Sequence, residues 1–377
     1  MQRSRVFLDA GGSAPLSSRV VDALQAGFAD GWADPARLVT ESRKARGLID
    51  GSREAIAEVL GASADQVHFV PSIHFAFERV IAGIAQMRRA QPRIVVSAIE
   101  RDALIHAAIH TRPHGVESVG VDAAGHLDFD AFTAAVTADG VALAAIQHAN
   151  QEIGTVQRLD PVALVCADAG VPLLVDASSS IGHRDAPEHW DALVAHPADW
   201  GGPAGIAVLA LTPQTRWLPT WPEGDDWAPG GVSVPLALAS AVALQEREQG
   251  RLANAGRLGA LVEKIRATVR RLEGVEVLGD PYERLPHVVT FSCLYVDGES
   301  LLSELDREGF AVGSGSACAS GSLEPSRVLA SIGALTHGNV RVALHPAVTG
   351  EDVDRFLAVL PQVLDRVRSR LGAPRTP

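Results

Sequence analysis

The chain has 377 residues, 47% of them apolar and 21% charged, with a formal net charge of −12. That is enough sequence for one large α/β domain or two unequal ones, each with a core. The acidic balance disfavours non-specific binding to nucleic acid or an anionic membrane, and no apolar run approaches the ~18 residues of a membrane span. Residues 1–9 contain arginines but no apolar stretch behind them, so no secretory signal is expected. The three cysteines, Cys166, Cys293 and Cys318, form neither a CxxC pair nor a metal-ligand spacing. Free thiols and a cytoplasmic location are expected. Of 33 basic side chains only Lys44 and Lys264 are lysines.

In chain order, Val20, Val21, Leu24 and Phe28 predict an amphipathic helix. Ile56, Val59 and Leu60 close a second, with Gly61 as its stop. Residues 67–70 read as a strand, followed by a helix with Phe77, Val80, Ile81 and Ile84 on one face. Further strands are expected at 94–96, 141–146, 172–175 and 206–209, mostly separated by helical stretches. Nearly all-apolar strands alternating with helices predict a largely parallel sheet covered on both faces. Residues 212–231, rich in Pro, Trp, Asp and Gly, read as a long irregular crossing segment. Helices over 235–249 and 252–272 follow, then a mixture of strands (288–291, 340–343) and helices. Cys166 falls in a helix and Cys293 in a strand, as core thiols.

Three segments, 147–154, 174–180 and 195–205, end in polar residues where a parallel strand would stop, which is where such sheets bind ligands. Asp176 directly follows a buried run. It could pair with a protonated ring nitrogen or cap the next turn through its own side chain. Cys318 sits among small residues in the loop 313–322, where a thiol is more exposed than in a core.

Together these segments resemble the cysteine desulfurases and selenocysteine lyases of the aminotransferase class V superfamily, over nearly the whole chain. Leu8-Asp9 with Pro15 resembles the amino-terminal turn. Asn150-Gln151-Glu152-Ile153-Gly154 is close to Asn-Asn-Glu-Ile/Thr-Gly, and Gly202-Pro203-Ala204-Gly205-Ile206 resembles Gly-Pro-Lys-Gly-Ile/Leu. Val175-Asp176-Ala177 matches the strand end whose Asp pairs with the pyridine nitrogen of pyridoxal phosphate (PLP). Ser314-Gly315-Ser316-Ala317-Cys318, continued by 322–326, resembles the loop whose cysteine takes sulfur from substrate as a persulfide. Arg341 falls where the family's arginine grips the substrate carboxylate, a job suited to a guanidinium.

The sequence departs from the family at the cofactor. Counting back from Gly202-Pro203, Asp199 stands where the Schiff-base lysine of Ser-x-His-Lys belongs, with Ala198 for the His and His196 for the Ser. Arg101 replaces the ring-stacking His, and Ser72-Ile73-His74 the phosphate-binding Gly-Ala-Thr. Ser179 replaces a Gln that touches the cofactor hydroxyl, and 229–232 replaces the Arg-x-Gly-Thr that reaches across a dimer. A carboxylate cannot form the Schiff base.

The resemblance implies a PLP-transferase-like large α/β domain over 16–250, with a mostly parallel seven-stranded sheet. A small α+β domain would be made of 1–15 and 251–377. It also implies a homodimer, a small carboxylate-bearing ligand and a sulfur-acceptor or desulfurase partner protein. The leading expectation is a cysteine-desulfurase-like protein with no internal aldimine, in which Cys318 accepts or transfers sulfur or acts as a nucleophile. Arg341 and Asn150 would line the substrate, and His74, Arg101, Asp176, Ser179, His196 and Asp199 the former cofactor pocket. No metal is expected. The alternatives are a non-catalytic scaffold, new acid/base or metal chemistry in the former pocket, and an enzyme still using PLP or pyridoxamine phosphate.

Overall fold

The structure, a computed structural model, describes residues 5–218, 231–315 and 325–370. The chain enters on a two-residue strand, β1 (Val6–Phe7). The large sheet is made of β2 (Val67–Val70), β3 (Arg93–Ser97), β4 (Val116–Val119), β5 (Val141–Gln147), β6 (Leu173–Asp176), β7 (Ala192–Ala195) and β8 (Ala207–Leu211). Its order is β2-β8-β7-β6-β5-β3-β4. Neighbours from β7 through β4 pair in parallel, whereas β8 is antiparallel to both β7 and β2.

Alternate residues of each strand feed opposite faces, as the pleat requires. Val95, Ala144, Ile146, Val175 and Leu193 face a core completed by helices Ser18–Asp30, Thr40–Leu60, Leu159–Asp168 and Val234–Gln249. Ile94, Val96, Leu143, Ala145, Leu174 and Val194 face a second core under helices Ile73–Met87 and Asp102–Thr111. Every residue of β5 is therefore buried, which is why its sequence is unbroken apolar to Ile146.

A smaller antiparallel sheet, ordered β12-β10-β9, consists of β9 (Val275–Val277), β10 (Val288–Cys293) and β12 (Asn339–Ala343). It shares a core with helices Arg251–Val269, Gly298–Arg307 and Gly350–Arg370. Val6 and Leu8 join that core, because β1 pairs in parallel with β11 (Phe310–Ala311).

Two strands of the large sheet lie outside those expected from the sequence. β4 is a sheet edge with only Val119 buried, and β7 is a short Ala-Leu-Val-Ala run betrayed in sequence only by the polar residues after it. The first helix forms as expected, but Phe28 is 68% exposed, so its apolar stripe is narrower than the spacing suggests. Cys166 and Cys293 are buried, and burial pushes each thiol up to about 12. Among the described residues no helix is long and apolar enough to cross a membrane.

Candidate functional site

The carboxyl ends of β3, β5, β6 and β7 converge on one ionic cluster. Asp176 ends β6 and is 3% exposed. One carboxylate oxygen accepts from the Ser178 backbone N–H (2.9 Å), as in a side-chain-capped turn. The other accepts from Arg101 Nε (3.1 Å), while Arg101 Nη2 donates to Ser179 Oγ (3.1 Å). Arg101 leads into helix Asp102–Thr111 from the loop after β3. Burial works against its charge, but the Asp176 and Asp199 carboxylates outweigh this and raise its pKa.

β7 runs into a tight 3-10 turn, Pro197–Trp200. Proline pre-sets the backbone at its start. Gly201 ends it with φ +92°, a conformation that a side chain would strain. The turn places Asp199 inside, 8% exposed, with its Oδ2 2.9 Å from His196 Nδ1. Burial raises the Asp199 pKa, but His196 and Arg101 together hold the carboxyl below the usual range. His183 Nε2 donates to the Asp199 carbonyl (2.9 Å), and the His183 ring stacks on His287 at 3.6 Å. Burial drives His183 down to about 3 and His287 well below its ordinary value, so this pair is neutral.

Arg341, on β12, forms a second group. Its Nη2 donates to Asp9 (2.8 Å), its Nη1 to the Gln151 carbonyl (3.4 Å), and its Nε is buried without a partner. The amino-terminal turn joins the groups: a Cβ at Gly11 would lie 3.0 Å from Arg341 Cζ, and one at Gly12 4.0 Å from Asp199 Oδ1. Close by are the stems of the cysteine loop. Gly315 N–H donates to Asn339 Oδ1 (2.6 Å), and Ser326 Oγ to Glu152 Oε2 (2.6 Å). Cys318 itself lies outside the described residues, as do Pro229 and Gly230.

Arg101, Asp176, Ser179, His196 and Asp199 are thus brought together. His74 is exposed near the start of helix Ile73–Met87, whose N-cap is Ser72. Asn150 takes a different part from the one expected. Its Oδ1 accepts from Glu152 N and Ile153 N (2.8 and 2.9 Å), and its Nδ2 donates to the Ile99 carbonyl and Gln147 Oε1 (3.2 and 3.4 Å). The amide is saturated, so Asn150 shapes the turn and has nothing left for a ligand.

Two buried acids were missed as site residues. Glu100, 1% exposed, accepts from Gln147 N (2.9 Å), and burial raises its pKa well above the usual value. Burial also raises Glu152. Glu152 stands in the segment 147–154 and Glu100 beside Arg101, but an acid there reads as an exposed loop residue until the packing is known. Lys44 pairs with Asp30 and Lys264 with Asp354, both away from this cluster. Among the described residues no group of three or more His, Cys, Asp or Glu side chains could hold a metal ion.

Comparison with known proteins follows the same lines. A cysteine desulfurase IscS 1 from Archaeoglobus fulgidus is 30% identical over 378 residues, covering 96% of this chain and 98% of that one. The cysteine desulfurase NifS of Azotobacter vinelandii is 27% identical and covers 97% and 94%. Among solved structures, a NifS-like protein superposes with a TM-score of 0.88 at 21% identity, over 96% of this chain and all of that one. An apo cysteine desulfurase from Thermococcus onnurineus NA1 gives 0.84 at 20% identity, over 96% and 95%. These two share the fold. The family model for aminotransferase class V matches residues 6–356, from β1 into the last helix, and this chain belongs to that family.

Proposed function

We propose that this chain is a cysteine-desulfurase-like protein that handles sulfur at Cys318 without a Schiff-base cofactor. The curated relatives it matches over nearly its whole length are named cysteine desulfurases, which supports sulfur chemistry on this scaffold. The Arg101–Asp176 ion pair carries the rest of the reading. PLP on this scaffold needs a free carboxylate under its ring nitrogen and an amine for its aldehyde. Here the Asp176 carboxylate is taken by Arg101 and Ser178, and the acid Asp199 stands in the turn after β7. The chain's two lysines are engaged elsewhere. The residues present do not fit the group.

In this reading Arg341 holds the carboxylate of a small sulfur donor, and its unpartnered Nε supports that role. The Cys318 thiolate attacks the outer sulfur of a donor persulfide. A new S–S bond forms on Cys318, the donor's S–S bond breaks, and the donor leaves as a thiolate. An acceptor protein would then take the sulfur in the same way. The resemblance brings a homodimer and a desulfurase or acceptor partner with this function.

The test is to incubate the purified chain with cysteine persulfide and map persulfide by mass spectrometry. Modification at Cys318, lost in Cys318→Ser, together with a colourless protein that releases no PLP or pyridoxamine phosphate, is the expected result. Absorbance near ~420 nm from a bound Schiff base would overturn the cofactor-free reading. Persulfide spread equally over Cys318→Ser and the parent chain would overturn the role of Cys318.

A further inference from the structure

On the far side of the turn that carries Asp199 lies a cleft of about 520 Å³. The amino-terminal segment, helix Val234–Gln249, the start of helix Arg251–Val269 and the residues after β12 enclose it. Its walls are largely apolar, with Leu16, Val20, Trp200, Ala243 and Pro346 among them. Arg247 is set into these walls, 8% exposed. Its Nε donates to the Trp200 carbonyl (3.2 Å), while its Nη1 is buried without a hydrogen-bond partner. The fold leaves room for this side chain: a Cβ at Gly182 would meet Arg247 Cγ at 2.7 Å.

Among the described residues nothing in the cleft neutralises the guanidinium fully. Glu246, the one carboxylate among the described lining residues, has its Oε2 engaged by Ser17 Oγ (2.6 Å). His345, also in the lining, has its pKa lowered by burial. His287 stands near Arg247, and its Nδ1 is a second buried polar atom without a partner. Burying an ion with an unused N–H is unfavourable, and an anion would relieve that penalty. A carboxylate matches the guanidinium fork, and the apolar walls match an alkyl chain. Among the described lining residues a single guanidinium, beside one carboxylate, favours a monoanion over a dianion.

We propose that this cleft binds a small monocarboxylate, with its head group on Arg247 and its alkyl chain against Leu16, Trp200 and Ala243. The site is separate from the ionic cluster of Arg101, Asp176 and Asp199. The two are linked by hydrogen bonds to the turn between them, because Arg247 holds the Trp200 carbonyl and His183 the Asp199 carbonyl. The proposal does not depend on how sulfur is handled at Cys318.

Butyrate and its neutral isostere butyramide are the probes, titrated into the full chain by calorimetry and followed by thermal melting. Saturable butyrate binding that raises the melting temperature, with butyramide at least tenfold weaker, is expected. Arg247→Met should weaken butyrate at least tenfold. Asn254→Asp, at a half-buried cleft position in the first turn of helix Arg251–Val269, should do the same in a chain that keeps its fold. It decides the matter should the arginine variant not fold. Absence of saturable butyrate binding, equal binding of butyramide, or butyrate affinity unchanged in Asn254→Asp overturns the proposal.

Discussion

Removing the Arg101 guanidinium while keeping an apolar stem, in Arg101→Met, strips Asp176 of its charged partner at a site where Asp176 is only 3% exposed. Breaking a buried pair from one side costs about 3–5 kcal/mol, because the remaining charge is left without compensation. Ser179 loses a partner as well. Asp199 adds to the loss in the same direction. Its folded pKa is depressed in part by Arg101, so it contributes stability that is present above its unfolded value and lost as pH falls through the folded one. Without Arg101 that contribution shrinks at neutral pH. Asp176→Asn keeps an acceptor for Ser178 but carries no charge. The double variant Arg101→Met/Asp176→Asn should therefore recover about 2 kcal/mol of the single variant's loss. Urea unfolding at pH 7, followed by circular dichroism and tryptophan fluorescence, measures the parent, both single variants and the double variant. A cost below about 1 kcal/mol for Arg101→Met, the range of an exposed pair, would refute the reasoning. So would strict additivity in the double variant.

Two further outcomes rest on separate observations. His148, bonded to Ser180 Oγ (2.9 Å), is lowered by burial to about 4. It stays neutral in the folded chain while its unfolded counterpart takes a proton below about 6.5. Its contribution is therefore complete above that pH and falls by about 2 kcal/mol between pH 7 and 5. His148→Gln should remove this increment of acid sensitivity, and parallel stability–pH curves for the two chains would contradict it. Gly279 has φ +74°, and a Cβ there would lie 2.3 Å from the Ile153 carbonyl oxygen. Gly279→Ala should cost about 1–3 kcal/mol from backbone strain alone, and more from the clash. An unchanged urea midpoint would show that the turn relaxes freely.

The class of fold was legible because burial on both faces leaves a mark on each strand separately. Residues 94–96 and 141–146 carry no polar side chain, and residues 67–70 only His68, so periodicity and flanking helices sufficed. β4 was not legible, since a strand at a sheet edge can be half-exposed. The reversal of β8 was not legible either, since direction is a property of the neighbours it meets.

The candidate site divides in the same way. Residue order alone shows which side chains stand at the strand ends: Asp176, His196 and Asp199, with Arg101 after β3 and Arg341 in the second sheet. The sequence by itself also determined that the chain has only two lysines. Tertiary structure alone decided what these residues do to one another. Arg101 and Asp176 are 75 positions apart, and His183 meets His287 across the two sheets' connecting segments. Asn150 was named for its motif, yet its amide is used up by the turn it belongs to and by the Ile99 carbonyl, 51 positions away. The unpartnered Nη1 of Arg247 left no trace in the sequence. Residue type sets which bonds a side chain can make. Which of them are made, and which are left open for a ligand, depends on partners brought together by folding and shielded from water.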